Sequence, residues 1–351
     1  MPDTNRQFEQ AHLQNLKSDQ EEVERVYLST IDQIFQVVAI TAFTLEIFRL
    51  SDYPVLKTRL EEILTRHKVR VQAIMERGIR REWLMSETKN EAVLNAAYGE
   101  VAQPVLDKLR TDPELLEDFI QRPKNRIRLS ARVWRLTHQL QAGIEGTLFA
   151  GIQEGLPAAK MATQMKQYLN EPDRLFRRVR NAKGRLVLSE NAKKYKPGRG
   201  VYRSSYKNAL RLTAHQTNSS YRTSDHERWK RTEFVLGQRI QLSKNHPTNV
   251  EPIRCDLLVG DYGTEYKFTG FHLQCLCFST PILPSIEEFK EYEQSVLNGT
   301  DTNFKFKGVV KGMPERSKNW VIANQETFEG WANPPLFMQD NSAIINKVLA
   351  E

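Results

Sequence analysis

Phe268-Thr269-Gly270-Phe271-His272-Leu273-Gln274-Cys275-Leu276-Cys277-Phe278 is the stretch on which the reading of this chain turns. With Cys255-Asp256 upstream, it gathers all three cysteines of the 351 residues into one short window. Phe271 to Phe278 has the texture of a strand, and side chains two apart on a strand share a face, so Cys275 and Cys277 are expected on one side. His272 sits on the preceding turn. The turn-rich segment containing Pro247, Pro252, Gly260 and Gly263 can bring Cys255 back toward them. Thiolate and imidazole are the soft ligands that zinc favours, and Cys255, His272, Cys275 and Cys277 would make a closed Cys3His structural site. Other uses of these residues stay open. Buried free cysteines are common core residues, and a Cys255–Cys275 disulfide is an alternative. Asp256, Glu265 and His272 could serve a metal-dependent hydrolase or nuclease, or Cys275 and His272 a thiol nucleophile.

Working outward, strand-like Phe234–Leu242 precedes the cluster, and Pro281 and Pro284 close it. Upstream the chain reads as helical. Ser18 to Leu50 forms one expected helix, with Ser18-Asp19-Gln20-Glu21 spaced as a capping box. Ser51-Asp52-Tyr53-Pro54 breaks it and starts the next helix. That helix carries Leu60, Ile63, Leu64, His67, Val71, Ile74 and Met75 on one stripe, and Gly78 ends or bends it. His67 on that stripe reads as a buried structural histidine. Further helices are expected at about 90–109 with a break near Pro104, after Asp112-Pro113, from about Ser130 to Gly155, and after Pro157, where Met161, Met165, Tyr168 and Leu169 fill core. A hairpin turning at Lys183-Gly184 and a helix from about Arg203 to Trp229 follow. Beyond the cluster, Phe304–Val310 looks β-like, Glu315–Trp331 helical and Asn333–Asn341 extended.

Three cysteines in this length do not make a disulfide scaffold. The polar first twenty residues do not read as a secretory signal. The most apolar run, Ile34–Phe43, is about half of the roughly 20 residues a membrane-spanning helix needs. No Gly-rich phosphate loop, Gly-x-Ser-x-Gly elbow or His-Glu-x-x-His is present. No catalytic residue is therefore assigned, and the expectation is a protein that binds rather than catalyses. The net charge of +8 is uneven. Arg177 to Arg231 holds 16 Lys or Arg against Glu190, Asp225 and Glu227, which leaves the rest of the chain net acidic. Arg177, Arg178, Arg180, Lys193, Lys194, Lys196, Arg199, Arg203, Lys207 and Arg211 are the candidate contacts for nucleic acid or an acidic protein face.

Four stretches together resemble the phage head morphogenesis family, also called minor head or Mu-F-like proteins, in the versions found in Bacteroidetes phages and prophages. They are Asn170 to Arg180, Pro197-Gly198-Arg199-Gly200 to Ala209, Phe234-Val235-Leu236-Gly237 leading through Ser243, His246 and Pro247 to Cys255-Asp256, and Phe268 to Cys277. The last is similar to the family's His-Pro, one residue, Cys-Arg-Cys signature. Fainter likeness reaches Ser51-Asp52-Tyr53, Arg81-Glu82-Trp83-Leu84, Trp320 and Asp340-Asn341. The sequence departs from the family at Ala214-His215-Gln216, where Arg-Thr-Glu is usual, and at Leu273 and Leu276, which replace the proline and the arginine.

The resemblance implies an α+β protein: a largely helical N-terminal domain over 1–170, a small mixed Mu-F-like module over 171–285 holding the cysteines, and a C-terminal extension over 286–351. It implies a virion protein made in the host cytoplasm and acting in capsid assembly and DNA packaging. Its partners would be the portal and other head proteins, with packaged double-stranded DNA contacted without sequence preference. No membrane span is expected.

Overall fold

Helix α1 spans Pro2–Ala39, so the polar opening residues are helical and Ser18-Asp19 lies mid-helix instead of capping it. The local capping signal loses because Asn5, His12 and Asp19 are all buried by tertiary packing. The computed structural model describes residues 2–43, 48–123, 127–170, 178–180, 182–183, 186–188, 204–243, 255–272, 275–301, 304–329 and 334–350. Helix α2 (Pro54–Tyr98) begins at the expected proline but runs through Gly78, which is buried and neither ends the helix nor opens a second one at residue 90. A helix-interior glycine costs only about 1 kcal/mol against alanine, less than the burial of the flanking Met75, Ile79 and Trp83 returns. Gly99, at φ +86°, ends α2. The short α3 (Gln103–Asp107) then carries Pro104 in its first turn.

Helices α4 (Glu114–Gln121), α5 (Leu129–Gln153) and α6 (Ala158–Asn170) lie where the periodicity places them. Strands β1 (Arg178–Arg180) and β2 (Leu186–Leu188) pair antiparallel as the expected hairpin. Helix α7 (Ser205–Trp229) follows. Strand β3 (Gly237–Gln241), the one-turn helix α8 (Cys255–Leu258), β4 (Gly260–Tyr262) and β5 (Phe278–Ile282) come next, in an antiparallel sheet of order β4-β3-β5. Pro281 falls in an edge strand, where a missing N–H is tolerated. Helices α9 (Ile286–Leu297), α10 (Glu315–Ala323), α11 (Gln325–Glu329), α12 (Leu336–Asp340) and α13 (Ser342–Ala350) complete the chain. The class is α+β. Phe304–Val310 forms no strand among the described residues, and the tail read as extended contains α12. No described helix is long and apolar enough to cross a membrane.

The chain folds as two compact units, each assembled from separated segments and together drawing on all three regions read from the sequence. One comprises Lys17–Arg77 and Ile120–Ala214. Here α5 presents Gly143 and Gly151 to Met165 and Met161 of α6; a Cβ on Gly151 would collide with the Met161 sulfur, so this packing needs glycine. His67 is 2 % exposed, as its stripe position implies. Thr30 Oγ1 donates to the Val26 carbonyl (2.7 Å) and so accepts from His67 Nδ1 (2.9 Å).

The other unit comprises Met1–Leu16, Gly78–Phe119 and His215–Glu351. Within it the part of α7 from His215 to Trp229 is buried on almost every side although it is built largely of Ser, Thr, Asn and charged residues. Small hydroxyl side chains let it lie close to α2. Ser220 Oγ donates to the Ile79 carbonyl (2.7 Å) and Ser224 Oγ to the Trp83 carbonyl (3.1 Å), one turn apart on both helices. Asp225 accepts from Ser86 Oγ (2.8 Å), Asn90 Nδ2 (2.8 Å) and the fully buried Lys89 ammonium. Lys89 also faces the rings of Tyr221 (4.4 Å) and Trp229 (5.4 Å). His12 Nδ1 meets Glu82 Oε2 (2.5 Å) and its Nε2 meets Asn218 Oδ1 (2.6 Å). Both partners are acceptors, so both ring nitrogens donate and His12 is the imidazolium. Burial opposes that charge, but the Glu82 hydrogen bond and carboxylate outweigh it and raise the His12 pKa.

These histidines give each unit its own pH dependence. Burial lowers His226 to about 3, helped by Lys267 and Lys230, and lowers His67 to about 4, helped by Arg70. Both fold neutral. The stability they lend is complete above the ordinary histidine value of 6.5 and is lost as pH falls toward 3 and 4 respectively. His12 works in the opposite sense: its contribution is complete below 6.5 and is lost above its raised pKa. Urea titrations at pH 7 and pH 5 should show a loss of about 2 kcal/mol for each neutral histidine. His226→Gln and His67→Gln should each flatten the acid limb of one unit. An unchanged acid limb in both variants would refute the assignment.

Candidate metal centre

Among the described residues of the expected strand, Phe271, His272, Cys275, Leu276 and Cys277 form none, and β5 starts at Phe278. Two local features exclude it. Gly270 adopts φ +112°, and a Cβ there would stand 2.6 Å from Arg222 Nη1 and 3.1 Å from the Cys275 Cβ. Arg222, reaching across from α7, also takes the carbonyls a sheet partner would need. Its Nη1 donates to Thr269 O (3.0 Å) and its Nη2 to Cys275 O (2.7 Å) and Cys277 O (2.6 Å). Its guanidinium lies 5.0 Å from the centre of the Phe268 ring. The Cys275 N–H turns back to the His272 carbonyl (3.2 Å). The cysteines therefore converge through a compact loop wrapped around an arginine, and strand alternation plays no part.

The far side of the loop is pinned by the C-terminal residues. Asn341 accepts from the Lys267 N–H (2.6 Å) and donates to its carbonyl (2.9 Å), while Thr269 Oγ1 donates to Asp340 Oδ2 (2.8 Å). Phe268, Phe271 and the three cysteines share one core with Trp320, Val321, Phe328, Phe337, Ile345 and Val348. The stretch read as a C-terminal extension thus helps to enclose the cluster.

Ligand atoms of Cys255, His272 and Cys275 all lie within 4.8 Å of one another, and these groups could hold a metal ion. Around one tetrahedral ion with bonds of about 2.3 Å, two sulfurs stand roughly 3.8 Å apart, so these atoms would need to draw together by no more than about 1 Å. The third sulfur, Cys277, is buried nearby but lies outside this group of three, so only three of the four expected ligands are brought together. All three thiols are free and essentially fully buried, so the disulfide alternative is not what the fold contains.

The sulfurs share their protons unequally. Hydrogen bonds from Cys255 and then Cys277 pull the Cys275 thiol well below its ordinary value, with Arg222 and His272 adding to the effect. Cys255 is pushed far up, by its hydrogen bonds to Cys275 and Cys277 and by burial. Cys277 is pushed up to about 12: its hydrogen bond with Cys255 lowers it, but the bond with Cys275 and burial outweigh that.

No known family, curated protein or solved structure compared with the chain matches it.

The remaining expected site residues are placed as follows. Asp256 and Glu265 do not join the donor group, which is the one found among the described residues. Glu265 Oε1 accepts from the Gly312 N–H (2.6 Å) at an exposed turn. Of the ten basic candidates, Arg177, Lys193, Lys194, Lys196, Arg199 and Arg203 lie outside the described residues. Arg178 and Arg180 are described only as β1 backbone, paired with Leu188 and Leu186. Lys207 and Arg211 are half-buried on α7. Arg222 and Arg228, counted in the same basic segment, are interior and cannot face a polyanion. Sequence reasoning missed Arg222 because an arginine in a basic run reads as surface. The available signal was its helix, where Thr213 to Asp225 leaves no polar face distinct from an apolar one.

Proposed function

We propose that this chain is a phage minor head protein that acts in capsid assembly by binding, and that Cys255, His272, Cys275 and Cys277 hold a structural zinc ion. The observation that carries the zinc reading is the convergence of two buried thiols, Cys255 and Cys275, on the His272 imidazole, with the buried Cys277 nearby. Three sulfurs and a nitrogen match the preference of zinc, and a site with all four positions taken by protein is structural rather than catalytic. The head-protein reading is supported by the resemblance in the four stretches above. The residues of the fainter likeness fit it too: Trp320 packs in the cluster's core, and Asp340 and Asn341 tie down the ligand loop.

Portal and other head proteins are the proposed partners, and the virion is the proposed site of action. The basic candidates between Arg177 and Arg211 would meet packaged DNA or an acidic face of a head protein. The test is co-purification with the portal from an infected or induced host, with and without nuclease. Nuclease-resistant association is the expected result. In parallel, metal analysis after purification without chelator should give about one zinc per chain. A DNA-only protein would lose its partner on nuclease treatment and show a steep salt dependence. Cleavage of DNA or RNA in the presence of a divalent metal, abolished by His272→Ala, would overturn the binding role in favour of a nuclease.

A further inference from the structure

Arg222 spends its polar atoms on the ligand loop itself. It is 6 % exposed, and its guanidinium bonds the carbonyls of Thr269, Cys275 and Cys277, two of which belong to cysteines of the cluster. Guanidinium does not deprotonate in proteins, so a full positive charge is fixed beside the sulfurs. Three thiolates, a neutral imidazole and a divalent ion sum to a single negative charge, and a buried net charge is costly unless compensated.

We propose that Arg222 is the charge-balancing and positioning residue of this metal centre. It neutralises a tris-thiolate site loaded with a divalent, thiophilic ion and holds the Cys275 and Cys277 backbone so that their sulfurs point to one place. It touches neither the ion nor a sulfur; it acts through the carbonyls and through its field. A monovalent soft ion would leave a residual negative charge in the same cage, so the arrangement favours a divalent one. Gly270 belongs to this device, because only a residue without a Cβ leaves room for the Arg222 Nη1 beside the loop.

This inference rests on the metal reading, and the test separates the two. Cobalt(II) is titrated into the full chain stripped of metal under reducing conditions, and its affinity is measured by chelator competition. Thiolate-to-cobalt charge transfer counts the bound sulfurs, and the visible bands report tetrahedral geometry. A wild-type chain that binds no cobalt sinks the metal reading itself. With wild type binding, Arg222→Gln should bind at least tenfold more weakly and show less charge transfer per cobalt. Arg222→Lys keeps the charge but not the fork across three carbonyls, so it should weaken binding by less than tenfold. Wild-type affinity and spectrum in a folded Arg222→Gln chain would make Arg222 merely structural and overturn the inference. If the glutamine variant does not fold, the lysine variant decides. A loss smaller than tenfold supports charge balance, and a larger loss overturns it.

Discussion

Asp225→Ala should destabilise the protein by about 3–5 kcal/mol, the cost of leaving a buried charge without its partner. Asp225 accepts from Ser86, Asn90 and the Lys89 ammonium, and Lys89 has no solvent to turn to. The two rings beside Lys89 soften the loss, but a cation facing an aromatic is worth only about 2 kcal/mol even when desolvated. Lys89→Met leaves Asp225 with two donors and should cost less. The double variant should lose less than the sum of the singles, by about 1–3 kcal/mol, because residues in one network do not act independently. Urea unfolding of the four proteins at pH 7 provides the cycle. Strict additivity would mean that the pair is not coupled.

The second large effect concerns the metal. Cys275→Ser should abolish stoichiometric metal uptake, and chelator should lower the unfolding midpoint of wild type but leave the variant unmoved. With free metal at 100 to 1,000 times its dissociation constant, binding adds about 2.7–4.1 kcal/mol to the folded state. That is the expected gap between loaded and stripped wild type. A midpoint insensitive to chelator, with three titratable thiols in the folded chain, would remove the metal from the account.

Helices α5, α6 and α7 were legible in the sequence because their ends carry local signals that the fold obeys: Gly155 at φ +65° after α5, Pro157 before α6, and the apolar four-residue spacing within α5. Helices α1 and α2 were misread at the same kind of signal. Ser18-Asp19 and Gly78 look like ends, yet both helices pass through them, since burial of their neighbours outweighs a cap or a glycine. The four candidate ligands were legible as residue types that belong together. Their geometry was not, because it depends on Arg222, 33 residues before Cys255 in sequence. No period-two argument contains a long-range guanidinium that competes for backbone carbonyls.

The hydroxyl seam between α2 and α7 also bears on how the chain is made. Ser220 and Ser224 bond carbonyls 141 residues earlier, and Asp225 bonds Ser86 across 139. At a synthesis rate of roughly 5–20 residues per second, α2 leaves the ribosome about 7–28 s before its partner exists. Contacts of such separation also form slowly once the chain is complete. An apolar seam would expose a sticky helix to every other nascent chain for that time. Ser86, Lys89 and Asn90 instead give α2 a face that water can solvate while it waits, and the same groups become its most demanding contacts once α7 arrives.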